Sequence, residues 1–258
     1  MNTLHFYKYQ GTGNDFVMID NREGKFPQHD EQLIQRLCHR KFGVGGDGLI
    51  LLQDHEQYDF EMIYYNADAT QSMCGNGSRC AVHLAHHLGM IGKHSQFYAE
   101  DGPHEATIED ELIHIRMVDV VGIEEKEEGY FLNTGTRHYV RLVEDLADFD
   151  VMGVGKKIRY HESFMPQGTN ASFTEIKEGE VHMRIYEKGV ENETLSSGTG
   201  VTAVALALDK AKGLNSPAKI NTQGGVLQVA FRKVREDFYT DVYMIGPAVM
   251  VFEGTVFV

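Results

Sequence analysis

Two glycine-rich tetrads hold the residues of this chain best suited to chemistry, Cys74-Gly75-Asn76-Gly77 and Ser197-Gly198-Thr199-Gly200. Each stands where a helix is expected to begin. The first N–H groups of a helix have no partner inside it, and the aligned peptide dipoles leave that end positive. Glycines there let a ligand come close to the backbone, so a carboxylate can be held without a cation. A thiol at such a place gains thiolate character and becomes a usable base near neutral pH. Two such ends acting on one small molecule suit a two-base reaction. One group takes the α-proton of an amino acid, and the other returns a proton on the opposite face. That α-proton is a very weak acid, so orientation and preorganised donors must supply most of the rate.

The elements that must position these tetrads occur twice. After the second tetrad, residues Val201 to Leu208 carry no charge, as expected of a helix enclosed on every side. The first leads into Ala81, Leu84, Ala85 and Leu88, spaced as one helical face. A third helix is expected over about Glu31 to Arg40. Strand alternation is read in Ile113-Ile115-Met117, in Val181-Met183-Ile185 and in Leu227-Val229-Phe231. A strand ending Tyr64-Tyr65-Asn66 precedes the first tetrad, and one ending Ile185-Tyr186-Glu187 precedes the second. After each helix come a glycine turn (Asp101-Gly102-Pro103, then Gln223-Gly224-Gly225) and another strand. The tetrads lie 123 residues apart (197 − 74), close to half of the 258-residue chain. Such self-similarity implies an α/β protein of two pseudo-symmetric domains with the site in the cleft between them. The halves are placed at residues 1–122 and 123–258, divided near the acidic stretch Glu124-Glu125-Lys126-Glu127-Glu128, with the C-terminal strand able to return to the first.

Composition excludes several other classes. The net charge is −14 and no basic stripe is visible, which argues against nucleic acid. Apolar stretches are too short to span a membrane, and the first residues lack the pattern of a signal peptide. Three cysteines are too few for a disulfide scaffold, and a cytoplasmic protein is expected. Cys38 and Cys80 read as core residues. His83, His86 and His87 share a helical face, but nothing completes a zinc set, and no metal is expected. Gly11-Thr12-Gly13 and Gly43 to Gly48 both lead into strands, which removes the helix a nucleotide loop needs.

A family resemblance gathers these segments. Gly11-Thr12-Gly13-Asn14-Asp15-Phe16, Gly43-Val44-Gly45-Gly46-Asp47-Gly48, Asn66-Ala67-Asp68, Met73-Cys74-Gly75-Asn76-Gly77-Ser78-Arg79-Cys80, Gly168-Thr169-Asn170-Ala171 and Tyr186-Glu187-Lys188-Gly189 with its following tetrad resemble, in order, the motifs of diaminopimelate epimerases. The resemblance runs from about residue 5 to the end. It implies two α/β domains, each a β-barrel-like sheet around a central helix, often in a homodimer. It implies no cofactor and an amino-acid substrate, with interconversion of LL- and meso-diaminopimelate in lysine biosynthesis as the activity. By motif, Cys74 would be one acid/base, and Asn14, Asn66 and Asn170 would bond the substrate's amino and carboxylate groups. Gly75, Asn76, Gly198 and Thr199 would offer backbone N–H groups. Glu187 would meet an ammonium, and His138 would stand near a catalytic thiol.

The chain departs from the pattern at Ser197, where the family has its second catalytic cysteine. A hydroxyl does not act unaided as a base near neutral pH, although serine is a favoured helix cap. Three readings stay open: an epimerase in which serine replaces cysteine, removing turnover or a disulfide hazard; a single-thiol lyase, dehydratase or isomerase on the same scaffold; and a catalytically silent amino-acid-binding protein. Lys188 stands where the family usually has arginine, and lysine cannot fork onto a carboxylate. Thr136 replaces a common asparagine, and Ala69-Thr70 a usual Gly-Ser.

Overall fold

A computed structural model describes residues 3–258. The chain forms two compact units. The first runs up to Ile115 and regains the chain at Gly246–Val258, and the second is Arg116–Ile245.

The first unit contains β1 (Thr3–Gly11), β2 (Asn14–Asp20), α1 (Glu31–Cys38), β3 (Gly48–Gln53), β4 (Phe60–Asn66), α2 (Gly75–His87), β5 (His94–Ala99), β6 (Gly102–Glu109) and β7 (Leu112–Arg116). The second contains β8 (Val120–Val121), β9 (Glu124–Lys126), β10 (Gly129–Asn133), β11 (Arg137–Leu142), α3 (Val151–Arg159), β12 (Asn170–Lys177), β13 (Glu180–Glu187), β14 (Asn192–Thr194), α4 (Gly198–Lys212), β15 (Ala218–Thr222), β16 (Gly225–Arg235) and β17 (Phe238–Gly246). The last strand, β18 (Val249–Phe257), pairs antiparallel with β1.

Strand pairing makes the repeat explicit. From β1 to β6 the neighbours run antiparallel, parallel, antiparallel, parallel and antiparallel, and β7 adds an antiparallel partner to β6. From β10 through β11, β12, β13, β15, β16 and β17 the same succession recurs. In each unit the parallel pairs are joined through helices, α1 and α2 in one and α3 and α4 in the other. Parallel neighbours require such crossovers, and the helices cover the faces of the sheet.

This layering explains the strand sequences. In β3 the run Leu49-Ile50-Leu51-Leu52 is apolar without alternation, and all four side chains are buried. Leu49 and Leu51 pack in a cluster with Ile34 and Leu37 of α1. Ile50 faces the other way, within reach of Gly77 on α2. Strands that do alternate behave as expected of half-buried ones: Ile113 and Ile115 on β7, and Val181, Met183 and Ile185 on β13, point inward. Met117 falls just beyond β7.

The tetrad helices are the central ones. Asn76 to Val82, Leu84 and Ala85 of α2 are buried, as are Gly198 and the run from Gly200 to Leu208 of α4. Both lie close to their sheets through glycine. A methyl group on Gly77 would come within 3.0 Å of Ile50 Cδ1, and one on Gly200 within 2.8 Å of Ile185 Cδ1.

Helix α3 was not expected from the sequence, which pointed to three helices. Its first turns carry Gly153 and Gly155, both poor helix formers, and they dilute the apolar pattern of Val151, Val154 and Ile158. Asp150 caps the helix by accepting from Gly153 N at 2.8 Å. Gly155 has a packing reason. A Cβ there would stand 2.5 Å from Tyr186 Cβ and 2.8 Å from its Cγ. Gly→Ala in an open helix gains up to about 1 kcal/mol. At Gly155 the sign reverses, with an expected loss of about 1–3 kcal/mol. Thermal unfolding of Gly155→Ala checks this, and an unchanged or raised Tm would refute the packing.

No described helix is long and apolar enough to cross a membrane.

Candidate active site

The candidate residues cluster at strand ends in each unit. In the first unit, Asn14 begins β2, Gly48 begins β3, and Asn66 ends β4, with Gly48 paired to Phe16 on one side and Asn66 on the other. In the second, His138 on β11 pairs with Asn170 at the start of β12, and Glu187 ends β13. Each cluster leads through a loop to a helix start.

The two starts share one geometry. Cys74 is the N-cap of α2 with φ −136° and ψ 111°, and Ser197 caps α4 with φ −143° and ψ 123°. Cys74 Sγ accepts from Gly77 N at 3.4 Å, and Ser197 Oγ accepts from Gly200 N at 3.3 Å. Each also donates to an oxygen of its own cluster. Cys74 Sγ meets Asn14 Oδ1 at 3.5 Å, and the Ser197 hydroxyl bonds the carboxyl of Glu187. The serine therefore occupies, atom for atom, the role that the thiol has in the other unit.

Surroundings differ between the two starts. Asn14 is held by Asp47, whose Oδ2 accepts from Asn14 Nδ2 at 2.7 Å. Asp47 is tied to Arg40 at 2.7 Å, and Arg40 to Asp15 at 2.6 Å. Lys8 closes the network on Asp15 at 2.6 Å and on the carbonyl of Gly45. Burial alone would raise the Asp15 carboxyl, but hydrogen bonds from Arg40 and Lys8 outweigh it and hold it at about 2. Asn76 Nδ2 donates to Asn14 Oδ1 at 3.4 Å. Asn14, Cys74 and Asn76 thus meet in one cluster. Asn66 instead serves its own turn, donating to Thr70 Oγ1 at 3.0 Å and Ser72 Oγ at 3.1 Å.

In the second unit, His138, Thr199 and Asn170 come together. His138 Nε2 lies 2.9 Å from Thr136 Oγ1 and 3.0 Å from Thr199 Oγ1, with Asn170 Nδ2 at 3.5 Å. Lys188 N donates to Asn170 Oδ1 at 2.8 Å, while the Lys188 side chain is exposed. Full burial drives the His138 imidazole down to about 3, so it is neutral near pH 7. Burial raises the Glu187 carboxyl, against the lowering effect of hydrogen bonds from Thr194 and Ser197.

Several side-chain roles were not read from the sequence. Asp47 sits inside a quoted motif but was not given a role. The Thr199 and Thr136 hydroxyls engage His138 directly, whereas Thr199 was expected to act only through its backbone. Arg79 is fully buried under Asn76.

Cys38 and Cys80 are buried, and burial pushes each thiol up to about 12. Cys80→Ala is therefore expected to leave proton exchange at substrate unchanged and to cost about 1 kcal/mol of stability. Activity lost from a folded Cys80→Ala variant would show that the wrong thiol has been assigned. His83 Nδ1 lies 3.1 Å from Tyr9 OH, and among the described residues no metal-binding group of three His, Cys, Asp or Glu is gathered.

Comparison with known proteins places this strand-and-helix arrangement. The family model for diaminopimelate epimerase matches residues 6–120 and 130–251. The chain belongs to the diaminopimelate epimerase family. It is 46% identical over 257 residues to the diaminopimelate epimerase of Flavobacterium psychrophilum, covering 98% of this chain and 100% of that one. With the Aquifex aeolicus diaminopimelate epimerase it shares 38% over 275 aligned positions, covering 97% of each. Among solved structures, a Bacillus anthracis protein of the PhzF phenazine biosynthesis family superposes with TM-score 0.79 at 13% identity, covering 100% of both chains. That likeness speaks for the fold, two pseudo-symmetric α/β units built around central helices. As a family member the chain is an isomerase of the cofactor-independent epimerase type.

Proposed function

We propose that this epimerase inverts Cα of diaminopimelate between the LL and meso forms, and that Cys74 and residue 197 are its two proton-transfer positions. The observation that carries the reading is the matched capping geometry of Cys74 and Ser197 at equivalent points of a repeated fold. Epimerisation at an unactivated α-carbon needs a group on each face. As thiolate, Cys74 would take the α-proton and become a thiol, leaving a carbanion stabilised by its carboxylate. A proton delivered to the opposite face from position 197 completes inversion, and the mirrored sequence runs the reverse reaction. The N–H groups of Gly75 and Asn76, and of Gly198 and Thr199, suit the substrate's carboxylate oxygens. Asn14 and Asn170, each fixed by its own partners, suit the polar groups at Cα, and Glu187 an ammonium.

Serine at position 197 impairs this cycle. Its hydroxyl is directed at the Glu187 carboxyl, and an alcohol is a far weaker acid than a thiol. Proton delivery and removal on that face are both slowed. Proton NMR of LL- and meso-diaminopimelate with the protein and with Ser197→Cys tests the assignment. Interconversion in the cysteine variant is expected. Release of a substituent would favour the single-thiol lyase, and binding without any exchange in either protein the silent binder.

A further inference from the structure

The guanidinium of Arg79 is a charged group that the reaction above does not use, and it is fully buried. Burying an ion costs several kcal/mol unless polar groups surround it, so arginine inside a protein calls for a reason. Arg79 lies on α2 five positions beyond Cys74. Its Nη2 donates to Thr12 Oγ1 at 2.9 Å and to Asn76 Oδ1 at 3.0 Å, and its Nε to the carbonyl of Pro247 at 3.2 Å.

These bonds lead to the thiol. With its Oδ1 held by Arg79, Asn76 must turn Nδ2 outward, and that atom donates to Asn14 Oδ1. The same Asn14 oxygen accepts from Cys74 Sγ. On its far side Asn14 is fixed by Asp47, so its oxygen cannot turn away. A continuous path, Arg79 to Asn76 to Asn14 to Cys74, therefore connects a buried cation with the N-cap thiol. Asn76 also competes with the thiol for the Asn14 oxygen, which weakens the hold of that oxygen on the sulfur's proton.

We propose that Arg79 is a positioning residue for Cys74, fixing Asn76 and Asn14 against the sulfur and setting a permanent positive charge at this helix start that favours the thiolate. This rests on the reading of Cys74 as an acid/base. Titratable groups coupled to Cys74 include Arg79 and Cys80 on its own helix and Tyr64 on β4. Asp47, Arg40 and Asp15 stand behind Asn14. Cys80 and Tyr64 are both pushed up by burial and stay neutral, whereas Arg79 on the same helix carries its charge. Burial lowers Arg79 only to about 10, so it remains a cation at neutral pH. The second helix start is built differently. Five positions beyond Ser197 stands Thr202, whose hydroxyl donates to Gly198 O at 2.9 Å. The cation belongs to one start, and the Glu187 carboxyl to the other. Arg79 thus makes the two proton-transfer positions unequal, with Cys74 the one disposed to rest as base.

Alkylation of Cys74 by iodoacetamide, measured across pH by mass of the Cys74 peptide, tests this without requiring turnover. Its outcome is independent of whether Ser197→Cys restores epimerisation, so failure of the epimerase reading and failure of this one are separable. In Arg79→Met the midpoint of the pH–rate curve is expected to move upward by about one pH unit, and Arg79→Lys, which keeps the charge, to recover most of that shift. Arg79→Gln serves as the neutral variant if the methionine form does not fold. Asn76→Ala leaves the cation in place and is expected to move the midpoint upward by a smaller amount. A folded neutral variant with the parent midpoint would overturn the proposal, as would Asn76→Ala with the parent midpoint if no neutral variant folds.

Discussion

Replacing Ser197 by cysteine is expected to raise the rate of diaminopimelate epimerisation by about 10²–10⁴, the usual worth of one positioned acid/base group. The change inserts a single sulfur at a position already shaped for it. Ser197 has the backbone angles of Cys74 to within about 12° and accepts the same N–H three residues on. The neighbouring Glu187 carboxyl, already bonded to the hydroxyl, would accept the thiol's proton in the same way. Because the cap is retained, the Tm of Ser197→Cys should stay near that of the parent. Steady-state kinetics in both directions check the gain. A folded cysteine variant with the parent rate would remove position 197 from the reaction.

The second large effect is at Cys74. In the Ser197→Cys background, Cys74→Ala is expected to lower proton exchange by a similar factor, about 10²–10⁴. Alanine also deletes the cap on Gly77 N, worth about 0.5–2 kcal/mol, so lost activity alone would not separate base from cap. Cys74→Ser separates them. It keeps an oxygen to accept from Gly77 N, and Ser197 demonstrates that serine caps this kind of helix. The serine variant should therefore hold the parent Tm while losing exchange almost as fully as alanine. The two losses should not add across the pair, because groups acting in one transition state are removed as a unit. Full exchange in folded Cys74→Ser would assign the thiol to capping alone.

Much of this fold is legible in the sequence because the chain writes it twice. Each tetrad, the strand before it and the turn after it recur, and a near-identical succession of strand pairings follows. What the sequence hides is set by tertiary contacts. Gly155 lowers the helical signal of α3 because it was fitted to the Tyr186 ring, a constraint that no periodicity contains. An arginine reads as a surface residue on base rates, and only the acceptors from Thr12, Asn76 and Pro247, far apart in the chain, make Arg79 an interior one. The pairing of Ser197 with Glu187 joins a helix cap to a strand end ten residues earlier (197 − 187), a distance that only the loop path decides. His138 likewise depends on two threonine hydroxyls from separate segments, which individually carry no signal.

The most direct test of two proton-transfer positions is the early distribution of solvent deuterium. Ser197→Cys is given protiated LL-diaminopimelate in D₂O and sampled well before equilibrium. Two groups on opposite faces place deuterium at Cα of the meso product while the remaining LL substrate stays protiated. Deuterium entering recovered substrate as fast as product would mean one group serving both faces, and would contradict the account.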